Sequence, residues 1–89
     1  MEFEWDEEKR ARVYAERGLD LGSADLFFDG RPTLSELSSR GGELRWRTVA
    51  HVFGALHTVV WTPRGEAVRI ITMRRAHASE ERAYRARHR

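Results

Sequence analysis

Cysteine is absent from the 89 residues. Disulfides and thiolate chemistry are therefore excluded, and a reducing, cytoplasmic setting is expected. No apolar run reaches the ~18 residues of a membrane-spanning helix. The opening MEFEWDEEK is acidic, whereas a secretory signal needs a basic segment followed by an apolar one. Repeats and low-complexity segments are also lacking. Lysine is nearly so: Lys9 is the only one among sixteen basic residues, and the other fifteen are arginine, the side chain suited to bidentate phosphate contact and to stacking on bases. His51, His57, His77 and His88 show no HxxxH spacing on an expected helix. The carboxylates form no EF-hand or HExxH pattern, and no Gly-rich phosphate loop or nucleophilic triad is visible. No metal site and no cofactor are expected.

The charge that is present is sorted along the chain. Residues 1–38 carry ten acids and five bases, while residues 39–89 carry four acids and eleven arginines, giving −5 and +7 within a net charge of +2. Such asymmetry points to an anionic partner for the second half. The length allows one domain, residues 1–89, with a thin core that a partner would strengthen.

FEW at 3–5 reads as a short strand. Asp6 can cap a helix through EEKRARVYAER that stops at Gly18, with Val13, Tyr14 and Arg17 on one face. LDLGSADLFFDG reads as a second short helix. Residues 31–43 read as a loop, with Gly41-Gly42 as its tightest point. Three strands follow: RWRTVAHVF, with Trp46, Thr48, Ala50 and Val52 on one face, then LHTVVWT, then EAVRIITMR. Turns are expected at Gly54-Ala55 and at TPRG, 62–65. A last helix opens at ASEE with Ser79 as its cap and an incomplete capping box. Strands segregated from helices imply an α+β fold. Its antiparallel sheet would have about four strands, with two N-terminal helices and one C-terminal helix. Trp5, Phe27, Phe28, Trp46, Phe53 and Trp61 are expected in the core. Tyr14 and Tyr84, set among charges, suit stacking better.

The residues suited to chemistry are arginines with a Tyr and a Glu nearby. In a regular strand Arg69, Ile71 and Met73 share one face with Arg75, and Val68, Ile70, Thr72 and Arg74 the other. Arg69 and Arg74 then serve one site only if a bulge intervenes. Arginines can stabilise a phosphorane, and Glu, His or Tyr can move the protons of RNA transphosphorylation, without a metal. An arginine face that only holds phosphates is the competing reading.

Several segments together resemble the BrnT toxins of BrnT–BrnA type II toxin–antitoxin pairs: FEWDEEK, FFDG, RWRTVA, VVWTPRGEAVRIITMRRA and SEERAYR. The resemblance implies a RelE-like fold with helices on one side of a small antiparallel sheet. It also implies a ribonuclease that inhibits translation and a BrnA-type antitoxin that neutralises it and carries the DNA contact. By match to the family's motifs, Arg64, Arg69, Arg74, Glu81 and Tyr84 are the expected catalytic residues. Arg47, Arg75 and Arg17 are the expected RNA contacts, with the RNA free or on the ribosome. Thr72 stands where Ser is usual. Val13, Glu16 and Arg17 replace the family's Asn, Lys and His in the first helix, and a non-catalytic module that binds RNA, the ribosome or the antitoxin is the alternative.

Overall fold

Asp6 caps the first helix. The computed structural model of the chain describes residues 1–40 and 42–89, and the side chains of all of these but Ser39 and Arg40. In it the Asp6 carboxylate accepts from the Lys9 amide at 3.0 Å, and α1 runs Glu7–Arg17. Glu7 and Glu8 at its start and Arg17 at its end suit the helix dipole. Gly18, at φ 69°, ends it in the left-handed region, where a residue without Cβ incurs no strain. Val13 is buried but Tyr14 is exposed, so the apolar stripe is narrower than the shared face expected from spacing. A 3₁₀ helix, Leu21–Phe28, follows under the cap of Asp20 and buries Leu21, Ala24 and Phe27.

The strands are β1 (Glu2–Glu4), β2 (Thr33–Arg40), β3 (Glu43–Val52), β4 (Ala55–Arg64) and β5 (Ala67–Arg75), and α2 (Ala78–Arg87) closes the chain. The sheet order is β1-β5-β4-β3-β2. Two expectations change here. TLSELSSR is a strand, not a loop, and it pairs antiparallel with β3 along its whole length. Its leucines do not alternate, so nothing local marks it; a long neighbour and a 2.8 Å Ser35–Thr48 hydroxyl contact hold it. β1 runs parallel to β5, so the sheet is mixed, with five strands among the described residues, rather than antiparallel with about four.

The helices also divide. α1 and the 3₁₀ helix pack Val13, Leu19, Leu21, Ala24 and Phe27 against Ala50, Val52, Val59, Val68, Ile70 and Met73. α2 lies on the other face, where its Glu80 meets Thr58 and Arg74. This replaces the one-sided arrangement that the resemblance implies. α2 begins at Ala78, two residues earlier than a Ser79 cap would give. His77 stands at the cap position, and its amide donates to the Glu80 carboxylate at 2.7 Å.

Turn positions shift as well. Pro63 and Arg64 still belong to β4, and Gly65-Glu66 turns the chain. Of the expected Gly41-Gly42 turn, Gly41 lies outside the described residues. More consequential is the β4–β5 ladder. Val60 pairs with Thr72, but Trp61 pairs with Ile70, so Ile71 is the extra residue of a β-bulge. The bulge exchanges the faces beyond it. Val68, Ile70 and Met73 all reach the core, while Arg69, Thr72 and Arg74 share the opposite face. Arg75 moves to the core side, beside its partner His57, and away from the face of Arg69 where a regular strand would place it.

The β3–β4 turn is Phe53-Gly54, one residue earlier than expected, with φ of 53° and 78°. Positive φ at both central positions is the type I′ pattern, which favours Asn-Gly. A phenylalanine there is strained by roughly 1–2 kcal/mol. Its ring is exposed rather than in the core as expected, so burial offsets little of that cost. Phe53→Asn is therefore expected to raise stability by about 0.5–1 kcal/mol. The urea midpoint checks this, and an unchanged or lower midpoint would show that the turn is not strained.

Candidate nucleic-acid interface

Glu80 organises the end of the sheet where β5 hands over to α2. It is buried at 6% exposure. One oxygen accepts from Arg74 Nη1 at 2.7 Å, from the His77 amide at 2.7 Å and from the Thr58 hydroxyl at 3.0 Å. The other accepts from Arg74 Nη2 at 3.0 Å. Burial alone would push this carboxyl up. The Arg74 guanidinium, the His77 amide and the Thr58 hydroxyl outweigh it and hold the group down at about 2, from an ordinary 4.5.

Two basic concavities share Arg74 and His77 as a common wall. On the α2 face, a groove of about 430 Å³ is lined by Ser38, Arg45, Arg47, Val60, Thr72, Arg74 and His77. The Nε atoms of Arg45 and Arg47 are buried there without a partner among the described residues. Arg45 Nη2 donates to the Glu43 carboxylate at 3.0 Å. Arg47 is 3.7 Å from Glu36 and 3.9 Å from Glu80, distances that leave its charge only loosely paired.

Around the end of β5, a larger concavity of about 670 Å³ is formed where the end of α1, the Phe53-Gly54 turn, β5 and the β5–α2 connection converge. Arg17, Phe53, His57, Arg74, Arg75 and His77 are among its walls. Arg17 reaches it from α1 and donates through Nη1 to the Met73 carbonyl at 2.8 Å and to the Thr72 hydroxyl at 3.0 Å. It thereby clasps the stretch of β5 beyond the three residues that β1 covers.

The residues selected from sequence do not form one constellation. Arg17, Arg74 and Arg75 meet at the larger concavity, and Arg47 joins Arg74 at the groove. Arg74 is committed to Glu80. Arg64 pairs with Ala67, seven residues before Arg74, which at ~3.3 Å per residue is roughly 20 Å away. Arg69 lies beside Asp6, Glu8 and Arg12 near the start of α1. Glu81 is 3.8 Å from Arg85 on α2, and the Tyr84 hydroxyl donates to the Pro32 carbonyl at 3.4 Å, so both face the β2 side. Arg45, His57, His77 and Phe53 were not selected. His57 had a signal: it shares the inward alternation of Val59 and Trp61 in LHTVVWT, an unusual place for an imidazole. His51 points to the other face, so the two do not meet. Among the described residues, no three of His, Asp and Glu are placed to hold a metal.

The sign of the Glu80 effect is fixed by its lowered value. Its contribution is complete above about 4.5 and is lost as pH falls towards 2. The difference corresponds to about 3 kcal/mol. Glu80→Gln is expected to lose about that much at pH 7, with the gap to the unmodified chain closing between pH 4.5 and 2. Urea midpoints across that range test it; a gap independent of pH would contradict it.

No curated protein matches the chain. Among the described residues, no helix is long and apolar enough to cross a membrane. The sequence model of the family described as "Ribonuclease toxin, BrnT, of type II toxin-antitoxin system" matches residues 5–80, which run from just after β1 to the first turn of α2 and include every wall of both concavities. The chain belongs to the BrnT family of ribonuclease toxins of type II toxin–antitoxin systems.

Proposed function

We propose that the protein is an endoribonuclease that cleaves RNA by metal-independent transphosphorylation in the cytoplasm and so inhibits translation. The observation that carries this reading is the continuous basic surface made by the two concavities. Arg45 and Arg47 line one end, the latter only loosely paired with carboxylates. Arg17 and Arg75 stand at the other with two imidazoles. Guanidinium groups fixed before substrate arrives can stabilise a phosphorane without reorganising. Arg74 positions more than it contacts, since both of its terminal nitrogens are held by Glu80. Arg64 and Arg69 lie far enough off to touch flanking phosphates of a longer strand, and Glu81 and Tyr84 would meet RNA only across the β2 side.

The partner in this reading is a BrnA-type antitoxin whose toxin-binding segment is acidic where it crosses the two concavities, since complementary charge sets register and excludes wrong partners. DNA contact belongs to that antitoxin. The second reading, a binding module without catalysis, is favoured by one observation. Arg17, at the position of the family's His, spends Nη1 on β5, and a guanidinium has no lone pair with which to act as a base.

Incubation of the purified chain with single-stranded RNA in EDTA separates the two. Cleavage with 2′,3′-cyclic phosphate ends supports the enzyme; binding with intact RNA supports the module. Arg45→Gln with Arg47→Gln is expected to weaken binding and to lower the salt dependence of log K by roughly 1 per arginine removed. An unchanged slope would place the phosphates elsewhere.

A further inference from the structure

His57 is buried at 4% exposure, yet its imidazole is set in one orientation. Nδ1–H donates to the Val52 carbonyl at 2.9 Å and lies 3.1 Å from that of Ala55. Carbonyls only accept, so Nδ1 carries the proton and Nε2 is left with a free lone pair. Among the described residues no protein partner is found for Nε2, and His57 is a wall of the 670 Å³ concavity. This is the arrangement of an oriented base rather than of a buried histidine satisfied at both nitrogens. Arg75 is its cross-strand neighbour, placed there by the bulge.

Phe53 stands beside it, edge to face, with ring centroids 5.7 Å apart at 80°. The ring is 51% exposed and is held at φ 53°. A turn alone would be better served by Asn, and a core alone would bury the ring. An exposed aromatic next to arginines is the usual platform for an unpaired base of single-stranded RNA.

We propose that this concavity is the cleavage subsite for single-stranded RNA. Phe53 stacks the base on the 5′ side of the scissile phosphate, Arg75 and the remaining nitrogens of Arg17 hold that phosphate, and His57 Nε2 is the proton acceptor. The proposal rests on the ribonuclease reading above. In the step, the ribose 2′-hydroxyl gives its proton to Nε2, the O2′–P bond forms and the P–O5′ bond breaks. The leaving O5′ takes a proton from water and His57 returns its proton to water. The products are a 2′,3′-cyclic phosphate and a 5′-hydroxyl. A positive phosphate cradle beside the imidazole assists the step by holding the developing charge.

The test measures two things on each chain: affinity for a 2′-O-methyl tetranucleotide, which cannot be cleaved, and single-turnover cleavage of the ribose tetranucleotide. Phe53→Asn is expected to weaken binding by about tenfold, the scale of one lost stacking contact, although the fold itself is not harmed. His57→Gln is expected to lower cleavage by at least about 100-fold while binding falls by less than about threefold, with circular dichroism confirming the fold. Unchanged binding by Phe53→Asn overturns the stacking assignment, and this arm holds even if His57→Gln does not fold. Equal cleavage by a folded His57→Gln overturns the proton-acceptor assignment and leaves the ribonuclease function standing. An unmodified chain that binds the analogue but never cleaves refutes the ribonuclease reading, and the proton-transfer step with it.

Discussion

One extra residue in β5 determines what this protein can do. Without Ile71 out of register, the alternation that buries Val68 and Ile70 would carry Arg74 to the side of His57 and Arg75 to the side of α2. The bulge lets Met73 close the core instead. It gives Arg74 to Glu80 and Arg75 to the concavity. Because side chains alternate with a period of two, a single insertion reassigns every residue after it. The two adjacent arginines therefore have separate places, one paired with Glu80 and one lining the larger concavity.

The Glu80 pair makes that separation firm. A buried carboxylate with four donors on it cannot give up Arg74 without leaving an uncompensated charge, which costs several kcal/mol. It fixes α2 on the second face, aligns the β5–α2 connection that carries His77, and forms the shared wall of both concavities. Around this neutralised centre the other guanidiniums, on Arg17, Arg45, Arg47 and Arg75, line the two concavities. Arg74, held by Glu80, and the strained Phe53 are both walls of the larger concavity: one rigid support, and one aromatic ring held out at a cost to the turn.

Local features of the fold were legible in the sequence because their causes are local. Asp6 and Gly18 bound α1 through contacts within three or four residues, and the inward row of Trp46, Thr48, Ala50 and Val52 follows from alternation alone. β2 was not legible, since TLSELSSR owes its extended form to β3 rather than to its own pattern. The parallel placement of β1 depends on the whole α1–3₁₀ crossover. Nothing in IITMR marks Ile71 as a bulge, and so the site was read as a set of arginines without the partition that gives each its role. Glu80 was visible only as an acid in a first turn; its burial arises from Thr58 and Arg74, which are distant in sequence. Phe53 was read as core because an aromatic in HVFGALH is usually buried.

The cross-strand pairing of β4 with β5, read from backbone nuclear Overhauser contacts and amide exchange, tests this account at its root. It predicts Val60 opposite Thr72 and Trp61 opposite Ile70, with Ile71 outside the ladder. A regular ladder continuing from Val60–Thr72 to Trp61–Ile71 would contradict it, because the residues on the two sides of the bulge could not then keep the faces on which the core and the site both depend.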